Sequence, residues 1–171
     1  MDIRFMNPFL ESAQEVLKAE ASLVIEKGTL TLDKSSLTTD ELTILVSMVG
    51  EVQGVVFYGM SIQTGLNLVS RILDQTCLEL DDLARSGIAE VGNVITGRAS
   101  IKLSENGITS NISPPTVIEG KGVKISTLDF ARVIVPLQTE AGLIVVHLAL
   151  RISKPQEPDS NFMDVITSKE S

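Results

Sequence analysis

The chain has one cysteine, Cys77, and one histidine, His147. A single cysteine excludes an internal disulfide, and a reducing cytoplasm is the expected setting. Cys77 has no histidine near it in sequence, which favours a buried, inert thiol over a reactive one. One cysteine and one histidine do not make a zinc ligand set, and no cofactor or metal of the chain's own is expected. His147 sits inside an apolar stretch and reads as a structural residue. There is no glycine-rich loop of the phosphate-cradling or dinucleotide-binding type, and no arguable Ser/His/acid series. Basic residues are few: 14 Lys and Arg stand against 22 Asp and Glu, a net charge of −8. That balance argues against nucleic acid and anionic membrane surfaces as partners. No apolar run is long enough to span a membrane. The first ten residues carry Asp2, Arg4 and Pro8 but no apolar core of a signal peptide.

What is present fits one globular domain: 171 residues, 43% hydrophobic and 21% charged. Residues 83–103 organise it. At helical periodicity, Ala84, Ile88, Val91, Ile95 and Ala99 form one apolar stripe. Ser86, Glu90, Asn93 and Gly97 fall together on the opposite side. Glu90 and Asn93 are three apart, so their side chains are surface neighbours. Gly87, Gly92 and Gly97 would each cost the helix about 1 kcal/mol relative to Ala. Gly97 lies on the polar face, where it lets another molecule approach the backbone. Gly87 and Gly92 lie on the flanks and suit close packing. Asp81 is the expected N-cap, in an acidic run that complements a helix N-terminus.

Around this helix the chain reads as helices and strands. Asn7-Pro8 is expected to open a first helix, with Phe9, Ala13, Val16 and Leu17 at helical spacing and Glu20 continuing it. Residues 21–26 read as a strand, and residues 27–40 as a polar loop or edge excursion. Residues 43–49 and 52–58 are apolar and β-branched around a Gly-rich turn, which predicts a hairpin. Ser61 is the expected N-cap of a helix with Leu66, Val69, Ile72 and Leu73 on its apolar stripe. Asn106-Gly107 is a turn signal. Residues 116–119 read as a short strand, and residues 124–126 as the start of another that continues through 132–135. Residues 136–142 read as a turn. Residues 142–152 are the strongest strand, with Ile144, Val146, Leu148, Leu150 and Ile152 on one face and Val145, His147, Ala149 and Arg151 on the other. The predicted fold class is α/β, with long helices packed on a mostly antiparallel sheet. Helix, strand and hairpin occur in that order twice, a pseudo-repeat of elements. The domain is expected to span residues 1–152, with residues 153–171 a flexible tail carrying a weakly apolar patch of Phe162, Met163, Val165 and Ile166.

A Glu-x-x-Asn pair alone is unspecific. Its context is Ser86-x3-Glu90-x2-Asn93, then Thr96-Gly97 and Ala99, with Pro114 and Pro115 further on. That pattern resembles the signature of the CheC/CheX family, phosphatases of phosphorylated CheY-type response regulators. The resemblance is closer to CheX, which carries one such motif, than to CheC, which usually carries two. It covers roughly residues 7–152, including the GEVQGVVFYGMS run into the second helix. The nearest match to a second motif, Glu11-Ser12-Ala13-Gln14, has Gln where the pattern has Asn, so one site per chain is expected. The resemblance implies a CheC-like pseudo-two-fold fold, a CheY-like receiver as partner and a homodimer.

It also implies roles. Glu90 and Asn93 would be the catalytic pair. Ser86, Val94, Gly97 and Ile101 would flank them and bind the partner. Asn93 would accept a hydrogen bond from water and orient it toward an aspartyl phosphate. A carboxylate is repelled by a phosphoryl group, so Glu90 would face the receiver's own lysine. Magnesium would belong to the receiver. Related folds occur in flagellar switch proteins, so a non-catalytic receiver-binding module is the alternative. A third reading makes the polar face the solvent side of a homo-oligomer.

Overall fold

The computed structural model describes residues 3–127 and 131–153. A 3-10 turn, Ile3–Phe5, leads into α1, Met6–Ala21. Then follow the strands β1 Glu26–Lys27, β2 Thr31–Asp33, β3 Leu37–Thr38, β4 Leu42–Gly50 and β5 Val52–Met60. The helices α2, Ile62–Leu73, and α3, Asp82–Glu105, come next. The chain closes with β6 Ser110–Ile112, β7 Thr116–Glu119, β8 Lys124–Ile125, β9 Arg132–Thr139 and β10 Gly142–Ile152.

The predicted α/β class with an antiparallel sheet is what forms. The main sheet runs β1-β9-β10-β5-β4-β6, with β2 also on β9 and β7 also on β4. Every pairing is antiparallel. The hairpins β4–β5 and β9–β10 stand side by side, and each outer hairpin strand accepts two short strands from the other half of the chain. The pseudo-repeat is therefore visible in the pairing. β3 and β8 form a separate two-stranded sheet.

One sheet face carries the core. Ile44, Val46, Val56, Tyr58, Val146 and Leu148 pack there with Phe9, Val16 and Leu17 of α1, Leu68 and Val69 of α2, and Ile88, Ile95 and Leu103 of α3. Burying each such large side chain stabilises the fold by about 1.5–3 kcal/mol before entropy. Phe57, His147 and Ala149 lie on the other face, where Ile125 of β8 joins Leu45, Val55 and Phe57 around a cavity of about 210 Å³.

Several expectations need correction. Asn7 is not an N-cap: α1 begins two residues earlier than expected, at Met6 behind Phe5, with no side-chain cap. The 3-10 turn delivers the chain already wound, and Phe5 is fully buried at the entry. Pro8 still falls in the first turn, where its missing N–H is not needed. Residues 21–26 are mostly not strand. Ser22 takes a left-handed conformation (φ 52°), its N–H bonds to Lys18 and that of Leu23 to Leu17, which closes the helix. Leu23 is then buried and Val24 exposed in a crossing segment. Residues 124–126 do not continue into 132–135, because β8 pairs with β3 and β9 belongs to the main sheet.

Residues 136–142 are not one turn either. β9 runs through Pro136 to Thr139, and only Glu140 and Ala141 turn. Pro136 lies opposite the gap between β1 and β2, where its carbonyl accepts from Gly28 at 2.8 Å and no N–H is required. Cys77 is half-buried rather than buried, and its thiol donates to the Gln75 carbonyl. Ile152 is 43% exposed at the end of its otherwise buried stripe. β10 ends there, and the Ser153 N–H donates to the Glu51 carbonyl. The expected tail beyond it, with Phe162, Met163, Val165 and Ile166, lies outside the described residues.

Candidate active site

Everything that holds α3 fixes its outward face. Asp81 caps it, its carboxylate accepting from Ala84 N–H at 2.8 Å. Arg85 pairs with Asp82 at 3.2 Å and with Glu119 of β7. The Glu119 contact holds that carboxyl below the usual range. Further along, α3 is clamped to α1: Glu15 meets Lys102 at 2.9 Å and Arg98 at 3.4 Å, and Glu11 meets Lys102 at 3.5 Å. Lys102 keeps the Glu15 carboxyl low, and Glu15 raises the Lys102 ammonium in turn.

The inward face sits unusually close to its neighbours. A Cβ on Gly87 would come within 2.6 Å of Val69, and one on Gly92 within 2.8 Å of Ile44 and 3.2 Å of Tyr58. These two glycines serve packing, as their flank positions suggested. Gly97 differs: a Cβ there would meet only Ile112, at an ordinary 3.6 Å. The predicted stripe of Ala84, Ile88, Val91, Ile95 and Ala99 is buried throughout.

The opposite face carries the expected site residues on one unbroken helix. Ser86 and Glu90 are exposed; Asn93, Val94 and Gly97 are half-buried. Ile101 is 61% exposed, a large apolar side chain left in water. Glu90, Asn93, Gly97 and Ile101 follow at three- and four-residue steps, so they form one band along the helix. The helix brings all six expected residues to one accessible region, and neither Glu90 nor Asn93 is lost in the core.

The second-motif candidate is occupied otherwise. Glu11 is tied to Lys102, and Gln14 is exposed on α1. Glu20, which continues the helical spacing of the α1 stripe, is exposed. It lines a groove of about 370 Å³ with Glu90, between the ends of α1 and α2 and the first half of α3. No sequence signal links positions 20 and 90; only the antiparallel packing of α1 on α3 brings them together.

Among the described residues no group of His, Cys, Asp and Glu could hold a metal ion. No described helix is long and apolar enough to cross a membrane. The face therefore offers a carboxylate and an amide, side by side on a fixed helix, for contact with another molecule.

An antiparallel sheet of two exchanged half-sheets, with one such helix-borne pair, defines a CheC-like protein. Residues 42–138 match the family described as "Chemotaxis phosphatase CheX", and the chain belongs to that family. It is 29% identical over 128 residues to the CheY-P phosphatase CheX of Thermotoga maritima, covering 74% of this chain and 83% of that one. Its fold is similar to a CheC-like superfamily protein from Shewanella sp. PV-4, with a TM-score of 0.80, 26% identity and coverage of 88% and 99% of the two chains. It is also similar to a chain of the CheX–CheY–BeF3–Mg2+ complex from Borrelia burgdorferi: TM-score 0.74, 30% identity, 88% and 99% covered.

Proposed function

We propose that this chain is a phosphatase of the aspartyl phosphate on a CheY-type receiver, with Glu90 and Asn93 as its working pair. The observation that carries this reading is their placement: adjacent, accessible and on a helix that four separate sets of contacts hold in place. The family supports it, since the Thermotoga relative is a CheY-P phosphatase and the Borrelia one was solved with CheY.

The chemistry asks for little besides position. Water adds to phosphorus in line with the bond to the aspartyl oxygen, that bond breaks, and the products are a carboxylate and inorganic phosphate. The transition state is loose, so proton abstraction contributes little and orientation contributes much. The Asn93 amide oxygen accepts a hydrogen bond from the water and points it at phosphorus, without adding negative charge. Glu90 pairs with a lysine of the receiver, which fixes the two proteins in register. Ser86, Val94, Gly97 and Ile101 contact the receiver around this pair. Magnesium belongs to the receiver.

The working unit is residues 1–152, and it acts in the cytoplasm as a homodimer. β10 is hydrogen-bonded on both sides over residues 145–148, so a dimer contact by strand pairing through it would use residues 149–152, which pair with β5 alone. Its half-buried second face at Val145 and His147 remains open to face packing.

The test is release of phosphate from CheY-type receivers phosphorylated with acetyl phosphate. Acceleration by the wild-type chain and loss of it in Asn93→Ala supports the reading. Binding to an activated receiver with no acceleration replaces it with a binding module of the flagellar-switch kind.

A further inference from the structure

Three ion pairs tie α1 to α3 through Glu11, Glu15, Arg98 and Lys102. Toward the other end of the same helix contact that pattern stops. Glu20 of α1 and Glu90 of α3 line one groove, no basic residue lines it with them, and among the described residues neither carboxylate has a cation. The rest of the lining is apolar, including Val16, Ile72, Val91 and Val94.

An apolar groove that also carries unpaired carboxylates is the complement of a long basic side chain. Lysine and arginine lay their methylenes on apolar surface and keep the charge at the tip. The groove also shares Glu90 and Val94 with the proposed site, so a molecule docked on one covers the other. Its occupant is then the receiver itself, not a separate partner.

Resting on the proposed function, we propose that this groove takes a lysine or arginine of the receiver, with Glu20 holding its charge and Val91 and Val94 its stem. This contact is separate from the one assigned to Glu90. It makes Glu20 a specificity-determining residue: receivers with a basic side chain at that place bind more tightly than those with a neutral one, and those with an acidic one bind least.

The test uses the full chain and a CheY-type receiver in two forms, activated with beryllofluoride and Mg2+ for binding, and phosphorylated for turnover. Glu20 is exposed, so its substitution leaves the fold intact. Glu20→Gln should raise both Kd and KM about two- to fivefold, the range of a solvent-accessible ion pair, while kcat at saturation holds. Glu20→Lys should raise them by more than about tenfold, because like charges then meet. Added salt should narrow the difference from wild type. Glu11→Gln, at the paired end of α1, should change neither constant.

If wild type hydrolyses but Glu20→Lys binds as tightly as wild type, the groove assignment is overturned and the phosphatase stands. If the Glu20 variants bind less tightly but no form releases phosphate, the groove stands and the phosphatase falls. If wild type binds no activated receiver, both fall.

Discussion

Tyr58 of β5 and Thr96 of α3 meet through their hydroxyls at 2.9 Å, inside the core. The Thr96 hydroxyl is also 2.8 Å from the Gly92 carbonyl, which can only accept. Thr96 therefore donates to Gly92, and Tyr58 donates to Thr96. Burial pushes the Tyr58 phenol well above its ordinary value, so it stays protonated as a donor. The bond fixes the rotation of α3 about its own axis. Rotation decides whether Asn93, three residues before Thr96, faces outward.

The two partners of that bond should not be equivalent. Tyr58→Phe leaves Thr96 still bonded to Gly92 and should cost about 1 kcal/mol. Thr96→Val leaves the Tyr58 hydroxyl buried without an acceptor and should cost more, about 1–3 kcal/mol. Thr96→Ser should recover most of the difference. Urea unfolding midpoints at constant m-value give the ranking.

Asn93→Ala and Glu90→Gln should fail differently. If Asn93 orients the water as proposed, Asn93→Ala should leave binding and stability intact, because Ala favours the helix, and slow phosphate release on the order of 100-fold. If Glu90 pairs with a receiver lysine as proposed, Glu90→Gln should leave that lysine unpaired and weaken binding by roughly 2–5 kcal/mol. The double variant should bind like Glu90→Gln and release phosphate at the receiver's own rate. Single-turnover release beside a titration with beryllofluoride-activated receiver separates the two effects. An unchanged phosphate lifetime with Asn93→Ala would sink the catalytic role.

The glycines of α3 should divide the same way. Gly92→Ala must push Ile44 and Tyr58 aside and should destabilise the fold by about 1–3 kcal/mol, despite the better helix former. Gly97→Ala meets only Ile112 at contact distance and should stabilise by up to about 1 kcal/mol. On the proposed docking face, that same methyl should raise KM for the receiver. Thermal melts and receiver titrations of the pair test both halves of the prediction.

His147 should make stability depend on pH. Burial, then the nearby Arg132 guanidinium, push its imidazole down from 6.5 to about 4, against a smaller opposing pull from Asp33. It is thus neutral in the fold at pH 7, and the unfolded chain binds the proton first as pH falls. Stability is intact above pH 6.5 and is lost progressively from there toward pH 4, by up to about 3 kcal/mol. His147→Gln should flatten this part of the profile. Equal slopes for wild type and variant between these limits would remove His147 as the cause.

The central helix was legible because a stripe of five apolar residues and an acidic N-cap agree along its length. The β4–β5 hairpin and the Ser61 cap were legible for the same reason: local chemistry and tertiary demand coincide. The short strands were not, because β1 and β2 exist through pairing with β9, about 100 residues further along the chain. Pro136 read as a turn because a proline's tolerance in a strand depends on what lies opposite, which sequence does not state. The site divides likewise. Glu90 and Asn93 are neighbours by helical arithmetic, whereas Glu20 joins Glu90 only through the crossing of two helices.

The strand order has a consequence for how the molecule comes into being. β1 and β2 of the first half finish the edge of a hairpin made by the second half, and β6 and β7 return the exchange on β4. Neither half owns a complete sheet. A chain cleaved in the link between α2 and α3 would yield two fragments that ripen only in each other's company. The same reciprocity frees the halves to diverge: one long helix can be surrendered to clamping its twin, as α1 is through Glu11 and Glu15, while the other keeps its outer surface for a visitor.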